Sequence, residues 1–402
     1  MAAHDVNDSG SLTGIRVLEL GQLIAGPFCG QLLGDLGADV IKVEDPTSGG
    51  DPMRQWGQGT RPLWWEIVAR NKRSLGVNLR HPHGQDLIKR LCKEVDILIE
   101  NFRPGTMEKW GLDQATLHEI NPKLIIVRVS GFGQSGPYAE RPGYGAIGEA
   151  MGGLRYVTGS PDREPSRVGI SIGDSLAATF ACVGALAALR ARDQHGRGQV
   201  VDCAIYEAVL QVMEGLVPEY EKDGFIRERT GSILPGVAPS NVYQCVDGSL
   251  LIAANQDTVF RRLCHAMDQT LLADDDRFSS HQARGRHQAE LDAIIQAWTS
   301  TQTTASLETA MIENSIPAGR IYTAADMLTD EHFRAREALV NIGTERWGSL
   351  TMQNCVPKLS YTPSSVRSAA PSVVGQHTTD VLSQLLGLSV DELDRLRASG
   401  AI

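Results

Sequence analysis

Between residues 14 and 131 the chain repeatedly places a short run of branched apolar residues ahead of an amphipathic stretch, and this alternation restricts the fold more than any other feature. GIRVLEL, DVIKVE, DILIEN and KLIIVRVSG read as strands, with PFCGQLLGDLGA and HGQDLIKRLCKEV as helices. Strands rich in Val, Ile and Leu and separated by helices belong to a mainly parallel sheet with both faces covered, so the fold class is α/β. The polar turn DQHGRG then returns the chain to one more strand, QVVDCAIY.

Beyond roughly residue 215 the texture changes. A Gly/Pro loop leads into NVYQCV and SLLIAA, joined by a DG turn and read as a hairpin. The segments TVFRRLCHAM and AELDAIIQAW follow as helices, giving a smaller α/β domain over about 220–320. The tail adds a β-like piece, SLTMQNCVPKLSYT, and two helices in HTTDVLSQLLGLSVDELDRLRASGAI. A length of 402 residues is too great for one small core and suits either two domains or one large domain with insertions.

A formal charge of −10 argues against nucleic acid as partner, because that binding rests on many Lys and Arg contacts to phosphate. The acidic N-terminal stretch reads as neither a secretory signal nor a transit peptide, and no segment is expected to span a bilayer. A cytoplasmic protein without a membrane partner is the expectation. Seven scattered cysteines with no CxxC pair read as buried thiols, and His81 and His83 lack the further ligands that zinc needs, so no metal is expected.

GYGAIG, residues 143–148, matches a dinucleotide fingerprint in letters but does not follow a strand directly, which the fingerprint requires. Basic residues recur beside strand ends, at Lys72, Arg73 and Arg80 and at Arg103 and Lys109, where either a phosphate or plain solvent accounts for them. Phe102 suits either stacking on a base or the core. Asp174, in ISIGDSLAA, reads in two ways: as a helix N-cap, or as a carboxylate nucleophile kept ionised by a helix N-terminus.

Taken together, GIRVLELGQLIAGPFCGQLLGDLGADVIKVE, NKRSLGVNL, ENFRPG, NPKLIIVRVSGFGQSGPY, RPGY, IGDS, GRGQVVDCAIYEAV, IPAGRI and GQHTTDVL resemble the class III coenzyme A transferases, the family that also holds the α-methylacyl-CoA racemases. The resemblance implies a large Rossmann-like domain, residues 1–215 with 325–402, around the inserted smaller one, and an interlocked homodimer. It implies that a CoA thioester is the substrate, with no tightly bound cofactor, and that Asp174 is the catalytic aspartate. It places the CoA contacts on Ile24, Ala25, Val77, Asn78, Leu79, Arg80, Asn101, Phe102, Arg103, Lys109, Gly143 and Tyr144.

Three departures from relatives sharpen the expected activity. Many relatives carry an Arg after VIKVE that helps to hold CoA; here it is Asp45, with Arg54 and Arg80 as candidates to replace it. The racemases carry a His where this chain has Tyr144, and a phenol of pKa about 10 is a poor two-way proton carrier at neutral pH. The tetraglycine loop of oxalate-type members is missing from RTGSILPGVAPSNVY, the stretch that also supplies the expected lid, 231–240. The expected activity is CoA transfer from a donor such as succinyl-CoA to a C4–C6 dicarboxylic acid, with Arg54 and Arg229 as candidate carboxylate partners. The alternatives are a 2-methylacyl-CoA racemase and a non-catalytic CoA-binding dimer.

Overall fold

The computed structural model describes residues 10–59 and 61–402. The N-terminal stretch read for a leader therefore falls mostly outside the described residues. The first elements are β1 (Arg16–Glu19), α1 (Ala25–Asp35), β2 (Asp39–Glu44), α2 (Trp64–Val68), β3 (Lys72–Gly76) and α3 (Pro82–Leu91). Next come β4 (Ile97–Glu100), α4 (Thr106–Lys109), α5 (Gln114–Ile120), β5 (Ile125–Ser130), α6 (Gly145–Met151) and α7 (Leu154–Val157). The long α8 (Ile172–His195), β6 (Val200–Ala204) and α9 (Ile205–Leu210) follow.

Among the described residues these strands make one parallel sheet in the order β3-β2-β1-β4-β5-β6. That is the doubly wound order, and its topological switch point lies between β1 and β4. Alternation along each strand divides the core in two. Val17, Ile97, Ile99 and Val127 face α1 and α8, whereas Leu18, Ile41, Leu98 and Ile126 face α3 and the C-terminal helix Thr378–Leu386. The small side chains of Ala177, Ala178, Ala181, Ala185 and Ala188 put α8 against α1 and the sheet.

Helix α8 corrects one expectation. At 24 residues, with a mean hydropathy of 1.7 over its most apolar window, it is long and apolar enough to cross a bilayer by length and composition. Its Ala-rich face is packed in the core instead.

Strand β3 was not expected, because KRSLG reads as a basic surface run. Its Lys72 is buried: Nζ donates to Glu19 Oε2 at 2.7 Å and to the carbonyl of Pro27 at 2.6 Å. Lys42, equally buried, stands 2.9 Å from Asp51 and 3.6 Å from Glu19, and donates to the carbonyl of Gly21. Burial works against the charge on Lys42, yet Asp51 and Glu19 hold its pKa above the usual lysine value. In Lys72 burial dominates and the pKa lies below that value, with Glu19 opposing the shift.

The described chain divides into two compact units. One holds residues 10–154, 168–218 and 334–402, and includes an antiparallel hairpin of Leu339–Thr344 with Gly348–Gln353. The other holds Arg155–Arg167 and Glu219–Phe333. Residues 155–167 and 325–333, expected in the larger domain, thus belong to the smaller unit. In the smaller unit Ser240–Gln244 pairs antiparallel with Ser249–Ala253, and Ala318–Arg320 adds a third strand. Its core gathers Tyr243, Leu250, Phe260 and Leu291.

The seven cysteines are all free among the described residues. Burial pushes the Cys92 thiol up to about 12 and that of Cys182 up to about 11, so both stay protonated at neutral pH.

Lys72→Met strips Glu19 of its closest cation in a dry setting. The expected cost is about 3–5 kcal/mol, read as a lower urea midpoint with an unchanged slope.

Candidate active site

In a doubly wound sheet ligands bind beyond the carboxyl ends of the strands, in the crevice at the switch point. Here the crevice is framed by the loop from β1 into α1 and the loop from β4 into α4. A cavity of about 230 Å³ opens there, lined among others by Gln22, Val77, Leu79, Arg80, Phe102 and Trp110. Four of these, Val77, Leu79, Arg80 and Phe102, are expected CoA contacts. Gln22 and Trp110 were missed. Trp110 meets Phe102 edge to face at 5.2 Å between ring centroids, and its position beside Lys109 in EKWGL was the available signal.

Phe102 is fixed from below. Its backbone N–H donates to Glu100 Oε2 at 2.8 Å, while Glu100 Oε1 accepts from Arg128 Nε at 2.6 Å. Burial raises the Glu100 pKa above the usual carboxylate value, with Arg128 and the Phe102 N–H working against it.

The remaining expected contacts fall into distinct roles. Asn101 spends its amide on the backbone of Gln22: Oδ1 accepts from its N–H at 2.7 Å and Nδ2 donates to its carbonyl at 2.9 Å. It shapes the β1–α1 loop with both amide atoms. Asn78 accepts from the Arg80 N–H at 3.0 Å and donates to the carbonyl of Gly400. Ile24 is the N-cap residue of α1 and Ala25 its first residue. Arg103 donates to the carbonyl of Glu140, and Lys109 ends α4 in solvent.

Asp45 accepts from the Thr47 N–H and pairs with the exposed Arg80 at 3.0 Å. A cation therefore stands at the cavity mouth although the family Arg is missing from the strand end. Arg54 is engaged elsewhere. Its Nε and Nη2 grip both oxygens of Glu44 at 2.7 Å, its Nη1 donates to the carbonyls of Pro371 and Ser372, and its guanidinium lies 3.9 Å from the Trp65 ring centre. Such a set of bonds removes Arg54 as a carboxylate partner. In the smaller unit Arg229 donates to the carbonyls of Tyr156 and Arg163.

Asp174 occupies the first turn of α8, two residues inside the start Ile172, while Ser171 is the N-cap residue. The cap reading of Asp174 is thereby corrected. Helices α1 and α8 pack together, and helices that connect parallel strands begin at the carboxyl edge of the sheet, so the first turns of both stand on the same edge as the cavity. The aligned peptide dipoles of a 24-residue helix favour an ionised carboxylate there.

The carboxylate is set against Gly145, the first residue of α6. A Cβ on Gly145 would lie 2.2 Å from Asp174 Oδ2 and 2.7 Å from Cγ. A Cβ on Gly173 would meet the Gly145 carbonyl at 2.9 Å, and one on Gly131 would meet the Gly143 Cα at the same distance. The glycines of GYGAIG thus let the chain after β5 lie against the start of α8. Tyr144, between Gly143 and Gly145, is the N-cap residue of α6 and is 72% exposed.

A doubly wound domain whose carboxyl edge carries a cavity lined by aromatic, aliphatic and charged side chains, with a helix-start aspartate on the same edge, has the architecture of an α/β enzyme site. The model of CoA-transferase family III matches residues 12–378, and the chain belongs to that family. It is 57% identical over 395 residues to the succinyl-CoA–D-citramalate CoA-transferase of Chloroflexus aurantiacus, covering 97% of this chain and 98% of that one. Identity to the succinate–glutarate CoA-transferase of Agrobacterium fabrum is 35%, covering 93% and 95% of the two chains. A crystal structure of a CaiB/BaiF family protein from Brucella suis superposes with a TM-score of 0.82 at 34% identity, covering 94% of this chain and 100% of that one.

Gly145→Ala is expected to leave the fold in place and to displace the Asp174 carboxylate. Transferase assays should register a loss of tenfold or more, on the order expected for a misplaced reacting group, with an unchanged far-UV spectrum.

Proposed function

We propose that this chain moves CoA from succinyl-CoA to a C4–C6 dicarboxylic acid, citramalate and its near relatives foremost, with Asp174 carrying the CoA between them. The observation that carries the reading is the Asp174 carboxylate, held in the first turn of α8 against Gly145 on the edge of the sheet where the cavity opens. The substrate class rests on the succinyl-CoA-dependent dicarboxylate transferases among the relatives.

In the proposed cycle a carboxylate oxygen of Asp174 attacks the donor thioester carbonyl. The C–S bond breaks, leaving a mixed anhydride on Asp174 and the CoA thiolate. The thiolate attacks the aspartyl carbonyl, the anhydride C–O bond breaks, and succinate departs from an aspartyl-CoA thioester. The acceptor carboxylate attacks this thioester and expels the thiolate, which then attacks the acceptor carbonyl of the new anhydride. Acceptor-CoA leaves and the Asp174 carboxylate is restored. No proton is consumed, and the thioester energy is carried through covalent intermediates. In this scheme Val77, Leu79, Phe102 and Trp110 hold the CoA moiety, Arg80 faces its phosphates, and the first-turn N–H groups of α1 face the developing oxyanion.

We also propose that a second copy of the chain covers the outer face of α6, α8 and α9, giving a cytoplasmic homodimer. Ile147, Met151, Phe180, Val183 and Leu210 stand exposed on these three helices, an apolar face that water solvates poorly.

Incubation with succinyl-CoA followed by hydroxylamine or borohydride is expected to modify Asp174, as located by mass spectrometry. Asp174→Ala should abolish transfer to any acid in a dicarboxylate panel; full activity in that variant overturns the relay. Val183→Glu places a charge in the proposed dimer face, and a shift from dimer to monomer in sedimentation is the expected result.

A further inference from the structure

Leu23, in the β1–α1 loop, has a backbone φ of 64°. A leucine rarely adopts that left-handed conformation, and its persistence calls for something in the surroundings that holds it there. The holding group is Asp51. Its Oδ1 accepts from the Leu23 N–H at 3.1 Å and from the Met53 N–H at 2.9 Å, and its Oδ2 stands 2.9 Å from Lys42 Nζ. Asp51 is itself anchored, since its N–H donates to Glu44 Oε2 at 3.1 Å, and it is only 2% exposed.

The neighbours of Leu23 are restrained in the same manner. Lys42 donates to the carbonyl of Gly21, and Asn101 clamps both backbone groups of Gln22. Three successive residues are therefore tied down by side chains, and the next two, Ile24 and Ala25, open α1. Gln22 lines the switch-point cavity. Whatever fixes the peptide of Leu23 also fixes where Gln22 projects and where the first N–H groups of α1 point.

We infer that Asp51 is a positioning residue for CoA transfer: it touches no substrate, but holds Leu23 in its left-handed conformation and so sets the β1–α1 loop against the reacting thioester. This rests on the proposed function only in naming the thioester as what the loop faces. Leu23 is the discriminating partner, because glycine takes positive φ without a steric penalty and β-branched residues resist it most.

The test compares kcat and KM for succinyl-CoA in Asp51→Ala, Leu23→Gly, the double variant and Leu23→Ile, alongside hydrogen exchange of the peptides spanning 20–26. Asp51→Ala is expected to lower kcat about tenfold with KM changed less than about twofold, and to speed exchange in the loop. Leu23→Gly should raise kcat about fivefold or more in the Asp51→Ala background and slow the exchange again. It should not raise kcat when Asp51 is present. A purely structural role, as a partner for Lys42, predicts no rescue by glycine at position 23, and that result overturns the inference. Should Asp51→Ala not fold, Leu23→Ile leaves every charge in place; an undiminished kcat and unaltered exchange in that variant overturn the inference equally. If the wild-type chain transfers CoA to no acid, the functional reading falls. The exchange comparison then still decides whether Asp51 holds the loop.

Discussion

Two buried lysines held by Glu19 and Asp51 are what the site depends on. Lys42 and Lys72 sit on neighbouring strands beneath the β1–α1 loop, and each also donates to a backbone carbonyl, Lys42 to that of Gly21 in the loop and Lys72 to that of Pro27 in the first turn of α1. A lone ammonium in such a place would lose its proton or draw in water; opposite carboxylates within ion-pair distance make the buried charge tolerable. Lys42 thereby anchors the start of the loop, and Lys72 anchors the first turn of the helix that the loop leads into. Asp51 and Asn101 fill in the middle, at Leu23 and Gln22. The loop is therefore set by side chains from a neighbouring strand and from the segments just beyond the carboxyl ends of β2 and β4, and not by its own turn chemistry.

This arrangement suits a covalent relay. Reactive anhydride and thioester intermediates need their partners already in place, and preorganised groups need no rearrangement at the moment of reaction. On the other side of the site, glycine does equivalent work by absence. Gly145 and Gly173 allow α6 and α8 to approach until the Asp174 carboxylate rests against a bare Cα. One wall is fixed by charge and the other by close backbone packing, and both walls lie on the same edge of one parallel sheet.

Reading the chain for its strands recovered β1, β2, β4, β5 and β6, because branched apolar runs announce buried parallel strands whatever lies around them. The same reading passed over β3, since Lys72 and Arg73 look like solvent-facing charge until Glu19 and Asp39 are placed beside them. Arg54 was misjudged for a related reason. A guanidinium that appears free in a sequence turns out to grip Glu44 from ten positions away and the 371–373 backbone from the far end of the chain. Charge partners that distant leave no local trace.

By itself, then, the sequence determined the fold class, the hairpin after residue 239, the family and the candidacy of Asp174, all of which rest on short-range periodicity or on contiguous motifs. Only the tertiary structure decided that Asp174 stands inside the first turn of α8 rather than capping it, that Asn101 braces a loop, and that Trp110 joins Phe102 in the cavity. Each of these depends on which residues distant in the chain become neighbours. In a doubly wound sheet that is fixed by strand order, and strand order is set by the packing of whole elements.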